Sequence, residues 1–169
     1  MTANSITPVV IAAVLGVTSS PLWAQDPTKP CTLLTSAEAK AFSGAQVGEG
    51  ATHFLAPTGT YSCMYQWRAK DFSPSLEVTV SDASKVYPGK GSDSIKMGIT
   101  GGPRGLPPNF TVVTGVGEAA NFMSDSPTAA WAMAYMKGKI LTVGYRGTDA
   151  RAKKDQVIGL LKTAASRLK

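Results

Sequence analysis

The two cysteines of the chain, Cys31 and Cys63, are the feature that most limits how it can fold. Both follow an apolar N-terminal stretch typical of an export signal, and an even number of cysteines in an oxidising compartment usually forms disulfides. A bridge between them would close a loop of about 32 residues, which the chain-entropy treatment values at roughly 3 to 4 kcal/mol. The sequence therefore predicts one structural disulfide that ties the start of the domain to an early strand. A redox or metal-binding role is the alternative, but a CxxC pair is absent and the chain has a single histidine.

The N-terminal stretch predicts a cleavable signal peptide. Residues 9–23 read VVIAAVLGVTSSPLW without a charge, and small Ala24 precedes a polar segment, as signal peptidase requires. A membrane anchor is the alternative, but the run is shorter than the roughly 20 residues of a spanning helix and prolines bracket it. We therefore predict a signal peptide over 1–24, a single domain over 25–169, and a periplasmic or extracellular location.

The charge of the chain is basic, with a formal net charge of +6 that lies entirely after the predicted signal peptide. Hydrophobic residues make up 43% of the chain and charged residues 17%, which argues against disorder. A basic exported protein tends to meet anionic surfaces, although the charge can also serve solubility alone. The predicted partner is an anionic envelope component or another envelope protein, with no specific nucleic acid. The candidate contacts lie on or beside the last helix: Lys153, Lys154, Lys162 and Arg167.

Local patterns predict a helix followed by strands. Thr35 and Glu38 have the spacing of a capping box, which predicts a helix over 36–42 that ends at Ser43-Gly44. Alternating side chains predict strands over 61–67 and 76–80, with a hairpin-length connection between them. Segment 46–59 reads as irregular or a weak strand, glycines break any helix over 84–97, and 98–109 reads as a loop.

The second half of the chain predicts further strands and a closing helix. Strands are expected over 111–116, 129–136 and 140–145, with Lys137-Gly138 as a two-residue turn. The closing helix should be capped by Thr148 or Asp149. It carries one apolar stripe that should face the sheet, formed by Val157, Leu160, Leu161, Ala164 and Leu168. The fold class that follows is α+β: an antiparallel sheet with a short N-terminal helix and a C-terminal amphipathic helix packed on one face.

Several short motifs resemble a family of bacterial exported proteins. They are PCTLLTSAEA over 30–39, YSCMY over 61–65, GVGEAA over 115–120, and the late hairpin before an amphipathic helix. Together they are similar to the actinobacterial DUF-type lipoproteins and exported proteins, some of whose relatives resemble the PsbP-like α/β/α sandwich. The resemblance spans nearly the whole predicted domain and implies an envelope location without established catalytic residues. The lipobox of the lipoprotein members is missing before Cys31, so no lipid anchor is expected.

The motifs that could carry chemistry also have simpler interpretations. GVGEAA over 115–120 matches a loose dinucleotide-binding pattern, but no helix is predicted to open there, so a glycine turn with positive φ is favoured. His53 could act as a base, but no nucleophile motif pairs with it. The aromatic face of Tyr61, Tyr65 and Trp67 could stack on a sugar, although an alternating aromatic strand more often lies in the core. Four carboxylates could converge as in a glycosidase, but their spacing does not place them together: Asp82, Asp93, Glu118 and Asp125.

Two classes of function remain open. The first is an exported, non-catalytic protein that associates with the envelope or binds a ligand, through a groove beside the sheet or the basic helix face. The second is a small exported enzyme or enzyme inhibitor whose site is assembled from dispersed polar residues. A cleft lined by carboxylates and His53 would indicate the enzyme, and an exposed apolar groove would indicate binding. No catalytic, cofactor-binding or metal-binding residue is predicted, and no cofactor is expected.

Overall fold

The computed structural model describes residues 28–68 and 73–168, so the predicted signal peptide lies outside the described residues. Its seven strands form one antiparallel sheet in the order β1-β2-β3-β7-β6-β5-β4. The strands are β1 (Ala51–Leu55), β2 (Thr60–Gln66), β3 (Ser75–Asp82), β4 (Phe110–Val112), β5 (Ala119–Ser126), β6 (Ala129–Met136) and β7 (Lys139–Arg146). The helices are α1 (Ser36–Ser43), α2 (Ala83–Val86), α3 (Ser92–Thr100) and α4 (Lys154–Arg167). The predicted α+β class is confirmed.

The start of α1 follows the predicted capping box. The Thr35 hydroxyl accepts a hydrogen bond from the Glu38 amide, and the Glu38 carboxylate accepts one from the Thr35 amide at 2.8 Å. Gly44 ends the helix in the left-handed conformation, with φ 67°. Both ends of this helix are therefore specified by residues that lie within the helix or directly beside it in the sequence.

The predicted disulfide is confirmed: Cys31 and Cys63 are joined, with their Cα atoms 5.0 Å apart. Cys63 is fully buried on β2, and the Tyr65 hydroxyl beside it donates to the carbonyl of Leu34. A Cβ added to Gly50 would come within 2.4 Å of the Cys63 Sγ, so the backbone runs directly over the bridge. The N-terminal segment is thus fastened to the sheet by a covalent bond and by packing.

Helices α1 and α4 cover the first face of the sheet, as expected. Small alanines on β6 lie on this face, which lets α4 approach the strands closely. The shared core includes Phe42 from α1, Leu161 from α4 and Val143 from β7, all at most 7% exposed. The apolar stripe of α4 is confirmed, because four of its members are buried and Leu160 is half-buried.

The second face of the sheet is also covered, whereas the residue patterns predicted helices on one face only. Helix α3 lies against β5 and β6 and contributes Ile95 and Ile99 to a separate cluster of buried side chains. That cluster is completed from α2 and the strands by Ala83, Ala119, Tyr135 and Ile140. The described chain therefore has three layers, with helices on both sides of the sheet.

Strand β5 was not predicted, and three element boundaries differ substantially from the sequence predictions. Helix α4 begins at Lys154 rather than after Thr148 or Asp149, because Asp149 accepts a hydrogen bond from the Tyr145 hydroxyl at 2.6 Å and turns precede the helix. Helix α3 extends into the predicted loop, since Gly98 is tolerated inside it. Strand β4 stops at Val112, and the predicted remainder of that strand forms an irregular turn.

Candidate functional site

A cavity of about 310 Å³ lies between α3 and the second face of the sheet. Side chains of β4, β5 and β6 form its sheet wall, and α3 with the preceding connection forms the opposite wall. Most of the lining is apolar or aromatic, and these residues are Tyr87, Ile95, Gly98, Ile99, Phe110, Met123, Trp131 and Met133. A volume near 300 Å³ is at the small end of the range for ligand sites in proteins.

The position of Trp131, a residue of the cavity lining, depends on Gly144. Trp131 on β6 is directly opposite Gly144 on β7 in the sheet register. A Cβ added to Gly144 would come within 2.8 Å of the Trp131 Cδ1 and 3.0 Å of its Nε1. The indole ring therefore rests against the bare backbone of β7, and Trp131 is one of the residues that line the cavity.

The cover of the cavity is fastened to the sheet by apolar and polar contacts. Ile95 and Ile99 are 6% and 3% exposed. The side-chain amide of Asn121 on β5 donates a hydrogen bond to the Ile99 carbonyl at 2.7 Å. Because that carbonyl lies near the C-terminal end of α3, the bond satisfies an acceptor that the helix itself leaves open.

The polar part of the lining is small and carries no carboxylate. It consists of Asn121, which is 7% exposed, and of Ser94 and Lys90, which are exposed on the solvent side. Within residues 28–68 and 73–168, no ion pair involves Lys90. The cavity can therefore hold an apolar molecule, but it offers no pair of acidic groups for acid–base chemistry.

The basic residues predicted on the last helix are largely engaged within the protein. The Lys153 amine donates to the Phe42 carbonyl at 2.8 Å and lies 4.6 Å from the Phe42 ring centroid. Arg167 forms a bidentate pair with Glu38, with distances of 2.8 and 2.7 Å. At these two positions the basic groups are therefore partly occupied by contacts within the protein, with side chains 18% and 28% exposed.

The other two basic residues differ in exposure. The Lys154 amine donates to the Thr111 hydroxyl at 3.0 Å, whereas Lys162 is exposed. Binding to an anionic surface by the four residues stays a prediction.

The dispersed polar residues do not meet at the cavity. His53 is exposed on the edge strand β1, at the opposite side of the sheet from β5. Asp93 and Glu118 both lie near the Lys96 amine, at 2.7 and 3.7 Å, on the exposed surface, while Asp82 pairs with Lys139.

The pKa shifts of two of these carboxylates do not fit an acid catalyst. Hydrogen bonds from the Ser84 hydroxyl and amide lower the pKa of Asp82, and a hydrogen bond from Lys96 lowers the pKa of Asp93. A general acid requires the opposite shift, so neither carboxylate is set up to donate a proton at neutral pH. In the described part of the chain, no group of three or more His, Cys, Asp or Glu residues could hold a metal ion.

The remaining motifs follow their simpler interpretations. Gly115 and Gly117 have φ values of 75° and 57° and lead into a strand, as expected for a turn rather than a dinucleotide site. Tyr65 and Trp67 lie in the core, at 1% and 8% exposure. Tyr61 is half-buried and stacks on exposed Phe54, with ring centroids 4.5 Å apart.

The sequence analysis did not predict the cavity, although the alternation of side chains along β6 indicated it. Its side chains alternate between small alanines on one face and Trp131, Met133 and Tyr135 on the other. Large apolar residues on the supposedly solvent-facing side indicate a second packed layer. Ile95 and Ile99, four residues apart, are the matching signal on α3.

The chain is similar in overall fold to a solved structure, the extracellular domain of PknH from Mycobacterium tuberculosis. The two are 12% identical with a TM-score of 0.42, and the match covers 85% of this chain and 98% of that domain. At this identity and TM-score, the similarity assigns neither a ligand nor an activity. No protein-family model and no curated protein matches the sequence.

The disulfide bears on location. The Cys31–Cys63 disulfide is of a kind typical of exported proteins, because oxidising compartments preserve such bonds. Among the helices of the described residues, none has the length and hydropathy needed to cross a bilayer.

Proposed function

We propose that this is an exported, non-catalytic protein that binds a small apolar ligand in the cavity beneath α3. The observation that carries the proposal is the cavity of about 310 Å³, with Trp131 in its mostly apolar lining and no carboxylate there. A concave, mostly apolar pocket with few polar groups is the usual form of a small-molecule site. A location in the periplasm or outside the cell, after removal of residues 1–24, is part of the proposal.

The alternative, an exported enzyme with a site of dispersed residues, has less support. It requires a nucleophile or an acid–base pair close to a bound substrate. Here His53 lies at the far edge of the sheet, and the Asp82 and Asp93 carboxylates are paired with lysines at the surface. The apolar cavity beneath α3 has none of these groups in its lining.

The proposal is tested with N-phenyl-1-naphthylamine, a neutral dye whose emission rises in apolar sites. Titration of the mature protein with the dye should give saturable binding at one site. Gly98→Leu should weaken that binding by about tenfold, because the new side chain takes up cavity space. A Cβ on Gly98 meets no atom within 4 Å, and replacing a helical glycine does not itself disfavour α3.

Gly159→Leu is the matched control. Gly159 also lies inside a helix with no atom within 4 Å of an added Cβ, but on the opposite face of the sheet. It should leave dye binding unchanged. Absence of saturable dye binding to the wild-type protein, or equal weakening by both substitutions, would refute the proposed function.

A further inference from the structure

We infer that the ligand is an aromatic ring compound with a hydrogen-bond donor, a hydroxyl or N–H group, that binds the side-chain oxygen of Asn121. This inference rests on the proposed function and specifies the chemistry of the same cavity. Asn121 is the one polar side chain of the lining that is buried, and only one end of its amide is engaged by the protein.

The orientation of the Asn121 amide is set by its partner. Its Nδ2 lies 2.7 Å from the Ile99 carbonyl oxygen, a distance at which only a donor is stable. The reversed amide would bring two acceptor oxygens together, so the nitrogen must face Ile99. The Oδ1 atom of Asn121 is therefore the acceptor left for another group.

No protein donor satisfies that oxygen within the described residues. The only side-chain hydrogen bond of Asn121 there is the one to Ile99. In the same part of the chain, every fully enclosed side-chain nitrogen or oxygen has a partner, so the unpartnered Oδ1 keeps some accessible surface, and Asn121 is one of the residues that line the cavity. Asn121 as a whole is nevertheless buried, with only 7% of its surface exposed. A largely buried acceptor favours a complex in which a donor reaches it.

We assign the donor to the bound molecule, because no donor of the lining bonds to Oδ1 and most of the surrounding wall is apolar. Phe110, Met123 and Met133 lie with Asn121 around the cavity, and Trp131 adds a second aromatic ring to the lining. Aromatic rings and methionine sulfurs favour an aromatic ligand by stacking and by sulfur–ring contacts. A cavity of about 310 Å³ has room for a small aromatic molecule of two or three rings.

The test compares 2-naphthol with 2-methylnaphthalene, which has a methyl group in place of the hydroxyl. Dissociation constants are measured by displacement of N-phenyl-1-naphthylamine from the wild-type protein and from Asn121→Leu. The ratio of the two constants is then compared between the proteins, so that the different hydration of the two compounds cancels. The preference for 2-naphthol should be about three- to tenfold greater in the wild type, the usual worth of one neutral hydrogen bond.

A second measurement needs only the wild-type protein. The ligand 2-methoxynaphthalene keeps the oxygen but cannot donate, so it should bind several-fold more weakly than 2-naphthol. Binding of 2-methylnaphthalene to Asn121→Leu shows in parallel that the variant still forms the cavity.

The outcomes separate the two proposals. If all three compounds displace the dye but the methoxy compound equals 2-naphthol, the donor inference is wrong and the proposed function stands. An equal preference ratio in the wild type and Asn121→Leu likewise overturns the donor inference alone. If neither the dye nor any naphthalene binds the wild type, the proposed function and the donor inference both fail.

Discussion

The carboxylate of Glu38 joins the start of α1 to the end of α4, and its removal should measurably destabilise the domain. It accepts hydrogen bonds from the Thr35 amide and hydroxyl at 2.8 and 3.0 Å. It also accepts from the Nη1 and Nη2 atoms of Arg167, at 2.8 and 2.7 Å. Glu38→Ala keeps the bond from the residue-38 amide to the Thr35 hydroxyl, and loss of the carboxylate half of the capping box costs about 1 kcal/mol. The ion pair adds about 0.5 to 1 kcal/mol, because its side chains are still 27% and 28% exposed. Glu38→Ala should therefore lower the free energy of unfolding by roughly 2 kcal/mol at pH 7, or Tm by about 5 to 10 °C.

The pH dependence of this loss has a definite sign. Partial burial works to raise the pKa of Glu38, but hydrogen bonds from Arg167 and Thr35 outweigh it and hold the pKa below its usual 4.5. A carboxyl whose folded pKa is lowered stabilises the protein above its unfolded pKa, and this stabilisation is lost as pH falls through the folded pKa. The difference between wild type and Glu38→Ala should thus be largest at pH 7 and should decrease below about pH 4.5.

Urea denaturation at pH 7, 4.5 and 3, followed by far-UV circular dichroism, measures both effects. Glu49→Ala is the control, since Glu49 is exposed in the same region and accepts one 3.2 Å hydrogen bond from Ser36. It should change the free energy of unfolding by less than about 0.5 kcal/mol. A loss for Glu38→Ala that is equally small, or that is the same at pH 3 as at pH 7, would refute this account of the carboxylate.

Three further predictions test the core, the bridge and the lone histidine. Mass spectrometry of the native mature protein after alkylation should find no modified cysteine, and alkylation of Cys31 or Cys63 would contradict a native disulfide. Leu161→Asp should cost several kcal/mol in urea denaturation, because Leu161 is fully buried against the sheet, whereas exposed Lys162→Glu on the same helix should cost little. His53→Ala should leave both Tm and dye binding unchanged, and a loss of binding at constant Tm would place His53 in the site.

The elements predicted correctly are those whose causes are local in the sequence. The capping box of Thr35 and Glu38, the turn at Lys137-Gly138 and the alternation along β3 depend on neighbouring residues. Lys137 and Gly138 adopt φ values of 50° and 76°, as a hairpin turn with two positive angles requires. Such features can be predicted because no distant contact is needed to produce them.

The features that the sequence analysis predicted wrongly or missed depend on contacts between distant elements or on both faces of a strand. Asp149 has the chemistry of a helix cap, but the Tyr145 hydroxyl occupies its carboxylate. Predicting the cavity would have required recognising Trp131 and Met133 as packing partners of another element on the face opposite the β6 alanines. The hydrogen bond from Asn121 to Ile99 spans 22 positions, and no local pattern announces it.

The separation of the buried side chains into two clusters has an evolutionary consequence. The larger cluster, with α1, α4 and the first face of the sheet, contains most of the buried apolar side chains, whereas the smaller one beneath α3 adjoins the cavity. Gly89 and Gly101, both with positive φ, bound the segment that carries α3. Substitutions within that segment can accumulate while the larger cluster keeps the domain folded. Homologous chains could therefore diverge in the ligand they bind while the sheet, α1 and α4 stay the same.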